Sequence, residues 1–203
     1  MRSVVFPLIG INILVYILQT SLGAWFTENL MLVSSDVLIR PWMLFTSMFL
    51  HGSTTHLAFN MLGLLIFGPL LESLIRPRRF LTIYLAGGVF ASLVSLFFYD
   101  AALGASGAVM AMIGTLIYLM PNLRILLFFI IPMPLWIAGV LWAFIDVAGF
   151  FFDNNIANAA HLAGMALGLA YAYNLKGNKN KGRNFFNKKD WNEKDVDEYL
   201  KNI

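Results

Sequence analysis

Ser106 stands between two glycines in Gly104-Ala105-Ser106-Gly107-Ala108, where an apolar stretch begins. A serine hydroxyl is a weak nucleophile until a neighbouring base takes its proton. Candidate bases are few. The chain has three histidines, His51, His56 and His161, and each lies in or beside an apolar segment. No lysine precedes Lys176, so a serine–lysine pair has no partner at membrane depth. Cysteine is absent, which excludes thiolate chemistry, thiolate metal sites and disulfides. Taken alone, a serine in an apolar helix ordinarily bonds its own backbone. A histidine inside a membrane span, by contrast, is costly and marks function.

His56 and Asn60 are four apart and share one helix face. Two neutral donors on one face suit an oxyanion hole, where N–H groups must be fixed at the point of developing charge. A hydrogen-bonded pair holding two helices together fits the same spacing. A Ser106 N–H at a helix N-terminus would add a third donor. His51 falls a turn or more earlier and is expected to orient a loop or a water. Metal is the rival use. His51 and His56 are about 140° apart on a helix, the His-Glu-x-x-His pattern is missing, and zinc wants three or more ligands; no metal or cofactor is expected. Paired-aspartate chemistry needs two carboxylates close together; Asp100 and Asp146 are the candidates, but Asp100 ends one span and Asp146 lies deep in another.

These residues need a frame. Of 203 residues, 59% are hydrophobic and 12% charged, whereas soluble domains carry roughly a quarter charged. Six spans emerge, over about 4–22, 53–75, 80–99, 106–120, 135–152 and 155–175. The first has no Ala-x-Ala-type cleavage site behind it and is expected to be retained. Residues 23–50 mix Trp25, Phe26, Trp42, Phe45 and Phe49 with Glu28, Asp36 and Arg40, which suits an amphipathic element in the interface. Residues 121–134, bracketed by Pro121, Pro132 and Pro134, read as an interfacial or re-entrant piece. The domain reading is a membrane core over 1–175 and a basic tail over 176–203, with a short amphipathic helix or no structure in its last part. With six spans, Arg2, Arg76, Arg78, Arg79, Arg124 and the tail share one side, so both termini are expected to be cytosolic. A net charge of +3, with its basic residues so placed, points to a lipid bilayer and not to nucleic acid.

The fourth span is short, about 22 Å over 15 residues, which would sink Ser106 below the membrane surface. His161, about six residues into the sixth span, would lie near 9 Å below its start. Small residues at four-residue spacing, Gly107 and Ala111 on one span and Ala157, Ala160, Gly164 and Gly168 on the other, would let the two spans pack closely. That spacing joins Ser106 to His161.

The same residues resemble the rhomboid intramembrane serine proteases, over about residues 40–170. Gly104-Ala105-Ser106-Gly107 is similar to the family's Gly-x-Ser-Gly motif. His51, His56 and Asn60 fit its His-x4-His-x3-Asn pattern, and Ala160-His161-Leu162-Ala163-Gly164 with Gly168 resembles its sixth-span signature. The resemblance implies an all-α membrane protein, a six-helix bundle with a membrane-embedded first loop. It implies a Ser106–His161 dyad without a third carboxylate, with His56, Asn60 and Gly104 supporting the oxyanion site. Glu72 falls where the family has a structural glutamate. Trp42 is followed by Met43 and not by the family's arginine, and the extra N-terminal domain of some members is not expected. The activity implied is cleavage of transmembrane segments of membrane-protein substrates, in a prokaryotic cytoplasmic membrane. Substrate would enter beside a fifth span carrying Trp136, Trp142 and Phe144, with Phe150 to Asn155 as a cap and Asn154 and Asn155 lining the pocket. Two other classes are weighed: a catalytically inactive relative that binds membrane clients, and a small transporter using the histidines as a proton path.

Overall fold

The computed structural model describes residues 3–127, 130–152 and 156–179. Among the described residues, eight α-helices run in chain order: α1 Val5–Leu22, α2 Ala24–Leu30, α3 Met43–Thr46, α4 Thr54–Ile75, α5 Pro77–Ser95, α6 Ser106–Leu119, α7 Leu135–Gly149 and α8 Asn158–Lys179. Four short strands join them: β1 Leu32–Val33, β2 Ala101–Ala102, β3 Arg124–Leu127 and β4 Ile131–Pro134. By length and composition, α1 and α4 can each cross a membrane, while α6 and α7 are apolar but shorter.

The chain is therefore mostly helical, and the expectation of an all-α protein is corrected by two small antiparallel ladders. Within residues 121–134, read as an interfacial or re-entrant piece, β3 and β4 pair antiparallel, with Leu126 opposite Pro132 and Arg124 opposite Pro134. Prolines lack a ladder donor and suit such an unshared edge. The hairpin is tied to α7 by Leu135 N–H donating to the Leu123 carbonyl at 2.8 Å. Other boundaries shift less: α5 ends at Ser95 and not near Tyr99, α7 ends at Gly149, and α8 begins at Asn158 and continues past Leu175 to Lys179. The tail beyond Lys179 lies outside the described residues.

α6 sits at the centre, and its sequence explains why. Gly107, Ala108, Ala111 and Gly114 are small, so neighbouring helices come close enough to touch its backbone. A Cβ on Gly164 of α8 would lie 2.1 Å from the Gly107 carbonyl oxygen, and one on Gly168 would lie 2.0 Å from that of Ala111. On the other side, a Cβ on Gly87 of α5 would fall 2.3 Å from Ala111 Cβ. The expected close packing of the Ser106 and His161 helices is present, and α5 adds a third member.

α1 lies against α4, with Val5 beside Gly68. Its start is fastened to the far end of α4, where Ser3 Oγ and Val4 N–H donate to the two carboxylate oxygens of Glu72 at 2.5 and 2.7 Å. The first loop is held by its own polar groups. Trp42 Nε1 donates to the Asn29 carbonyl, Thr46 Oγ1 to that of Leu30, and Arg40 pairs with Asp36. The hydrogen bond from Arg40, then one from Ser35, keeps the Asp36 carboxyl below its ordinary range. Leu38 and Ile39 at its tip are 93% and 81% exposed, apolar surface suited to lipid.

Candidate active site

The first loop also builds the support under Ser106. β1 pairs with β2, Leu32 opposite Ala102. Ser34 N–H donates to the Asp100 carbonyl at 2.8 Å, and Gly104 N–H to that of Ser47 at 3.0 Å. These ties fix residues 100–104 and so fix where α6 begins. Gly104 has φ +129°, a conformation open to glycine and strained for other residues. A Cβ there would also lie 2.6 Å from His56 Cε1. The glycine therefore serves the turn and lets the imidazole lie against it.

Ser106 is the first residue of α6 and is half-buried. Its hydroxyl has no hydrogen-bond partner among the described residues. That sets it apart from Ser73, Ser95, Thr82 and Thr115, each of which bonds a carbonyl three or four residues back. A first-turn serine has no intrahelical carbonyl behind it, and its backbone N–H is one of the helix's orphan donors. The backbone-bonded reading of this serine is not the one adopted.

His56 is placed by helix capping. Ser53 precedes α4 with extended backbone and accepts the His56 N–H at 3.1 Å, the usual service of a serine N-cap. Asn60 lies one turn on and donates to the His56 carbonyl at 3.0 Å, which leaves a second amide N–H. His51 is 1% exposed, its ring edge-on to that of His56 at 5.2 Å. Its backbone is gripped at both polar atoms by the Gln19 side chain, each bond 3.0 Å.

His161 lies in the first turn of α8, because the helix starts at Asn158; the expected depth of six residues is corrected to three. Tyr99 OH accepts the Ala159 N–H at 2.9 Å, capping that turn. The imidazole Nδ1 is 2.9 Å from Asp146 Oδ1 of α7. Sequence reasoning placed Asp146 deep in a span and gave it no role. The signal was there, since a lone carboxylate in the apolar run 135–149 is a functional candidate by default.

Ser106, His161, His56 and Asn60 all line one open cavity of about 1720 Å³. No hydrogen bond joins Ser106 to His161, and unliganded catalytic pairs are often loose. Trp142, Phe150 and Phe152 line the same cavity, whereas Trp136 and Phe144 face outward. Asn154 and Asn155, expected in the pocket, lie outside the described residues.

These features define a class: a helical membrane protein that holds an uncommitted hydroxyl and two imidazoles, His56 and His161, around one wide cavity. The chain belongs to the rhomboid family, matching the Rhomboid domain over residues 39–178. It is 32% identical over 183 residues to Rhomboid protein 1, mitochondrial, of Saccharomyces cerevisiae, covering 85% of this chain and 53% of that protein. It is 34% identical over 184 residues to the human Presenilin-associated rhomboid-like protein, mitochondrial, covering 81% of this chain and 46% of that one. Rhomboid protease GluP of Bacillus subtilis is 36% identical over 127 residues, covering 61% of this chain and 24% of that protein. The chain thus spans about half the length, or less, of these relatives. The family membership and the integral membrane character expected from the motifs both hold.

Proposed function

We propose that the chain is an intramembrane serine endopeptidase. The observation that carries this reading is the free Ser106 hydroxyl at the N-terminus of α6, in one cavity with His161 on the helix clamped to α6 at Gly107 and Gly164. Ser106 Oγ attacks a peptide carbonyl while His161 takes its proton. Negative charge grows on the carbonyl oxygen, where the Ser106 N–H, the free Asn60 amide N–H and His56 can donate. Collapse releases the amine with a proton returned from His161 and leaves an acyl-enzyme, which water then hydrolyses.

The substrate class is a transmembrane segment of another protein. Beyond the polar end, the cavity continues along α4 past Phe59 and Ile66 to the hairpin at Leu126, an apolar groove suited to an apolar peptide. A helical peptide bond is shielded, so the segment must unwind locally, and weak helix formers near the cut lower that cost. Six helices, α1 and α4 to α8, form the membrane bundle, with both termini on the basic, cytosolic side of a prokaryotic cytoplasmic membrane. Two of the relatives named above are called mitochondrial and one is bacterial.

The decisive experiment uses the purified chain in detergent with a single-span reporter substrate and a fluorophosphonate probe. Ser106→Ala is expected to cut cleavage below about a thousandth of wild type without lowering thermal stability. His161→Ala is expected to suppress probe labelling of Ser106. Retained cleavage in the serine variant overturns the proposal, and a wild-type chain that neither cleaves nor labels points to a client-binding relative.

A further inference from the structure

We infer that Asp146 is a positioning residue, a carboxylate on α7 that selects the tautomer and aim of the His161 imidazole. The inference rests on the protease reading above and extends it, because that reading needs only two side chains.

A neutral imidazole carries its proton on one ring nitrogen and its lone pair on the other, and the partner of one nitrogen decides the state of both. Asp146 Oδ1 is 2.9 Å from His161 Nδ1. An ionised carboxylate can only accept, so this contact places the proton on Nδ1 and the lone pair on Nε2. Nε2 then receives the Ser106 proton, and the imidazolium that forms faces the carboxylate.

The site around Asp146 argues against a purely structural role. The residue is 4% exposed, and its other oxygen, Oδ2, has no hydrogen-bond partner among the described residues. A carboxylate kept for stability would have both oxygens satisfied, since a bare buried one is a liability. Here His161 is the one side chain bound to the carboxylate among the described residues. The geometry is held from outside the pair. Gly149, one turn after Asp146 on the same face of α7, has room for no Cβ, because Asn158 lies 2.5 Å from where it would sit. Asn158 is one turn before His161. Two residues on α7 thus meet two on α8, one turn apart on each helix.

The test compares Asp146→Asn, Asp146→Ala and Asp146→Glu with wild type, as full chains in detergent. Loss of the carboxylate is expected to lower kcat at least 100-fold with KM within about threefold, and to slow fluorophosphonate labelling of Ser106 in parallel; removing the triad carboxylate elsewhere costs about 10⁴ in kcat. Asp146→Glu, which keeps the acceptor, is expected to recover part of the rate. Melting temperature is expected to stay level or rise, because an under-satisfied buried charge has gone. Wild-type kcat in Asp146→Asn overturns the inference while leaving the protease reading intact. Equal losses of melting temperature and activity, unrescued by glutamate, overturn it in favour of a structural carboxylate. A wild-type chain that neither labels nor cleaves removes the protease reading and this one with it. Should the variants not fold, ¹⁵N spectra of the His161 ring in wild type decide: a protonated Nδ1 is expected, and a protonated Nε2 overturns the inference.

Discussion

His51 and His56 are the same side chain five positions apart, and their surroundings give them different chemistry. His56 lines the cavity against Gly104. His51 is turned inward, and neither of its ring nitrogens has a hydrogen-bond partner. Burial first, then the neighbouring His56 ring, pushes its pKa down from 6.5 to about 4, against a weaker opposite pull from the Phe49 carbonyl. Between those two values the unfolded chain binds a proton at residue 51 that the folded chain refuses. Stability therefore falls as pH drops through that window, by about 3 kcal/mol at most, and levels off on either side. His51→Phe, which keeps an aromatic ring beside Tyr16, is expected to flatten this acid limb in thermal denaturation between pH 7 and 4.5. An unchanged limb would assign the acid sensitivity to other groups. Counting residue types was enough to single out the three histidines, Asn60 and Ser106. Partners were not legible: nothing in the spacing of Asp146 and His161, fifteen apart on two helices, shows which ring nitrogen meets a carboxylate.

The helices were legible where the sequence punctuates itself. Ser53 before α4, Pro77 opening α5 and Pro121 after α6 mark ends by capping or by a missing N–H. The hairpin over 124–134 was not, because a short apolar run looks alike in a strand and in a buried helix piece. The small-residue stripe on α8 did foretell its contact with α6, and that contact is open to test. A Cβ on Gly168 would meet backbone, the Ala111 oxygen at 2.0 Å and the Thr115 nitrogen at 2.9 Å. Backbone inside a packed helix cannot step aside, so Gly168→Ala is expected to destabilise the fold by about 1–3 kcal/mol. Gly10, in α1, has nothing within 4 Å of its missing Cβ. There Gly10→Ala is expected to be neutral or stabilising by about 0.5–1 kcal/mol, the ordinary helix-propensity gain. Unfolding both variants in detergent compares one chemical change at two sites. Equal effects would mean that α6 and α8 are not in backbone contact.

Across the whole molecule the chain sorts its ends by charge. The start of α1 is fastened to Glu72 near the end of α4, beside Arg76, Arg78 and Arg79 at the turn into α5. The far ends of α6 and α8 meet as well, where Lys176 lies over the Tyr118 ring. The opposite ends carry the cavity's polar groups: the starts of α4, α6 and α8, with the first loop. Among the described residues, Arg76, Arg78, Arg79 and Lys176 belong with the first group and Arg40 with the second, so the proposed bundle, with lysine and arginine biased toward the cytosol, would open its site outward. The absence of cysteine makes this measurable, since any introduced thiol is unique. Arg78 and Asp100 are both exposed, Arg78 in the first turn of α5 and Asp100 five residues past its end at Ser95. In intact cells, a membrane-impermeant maleimide is expected to label Asp100→Cys readily and Arg78→Cys only after permeabilisation. The reverse pattern would turn the molecule over. Labelling of both from one side would mean that α5 does not span, and the six-span bundle would fall with it.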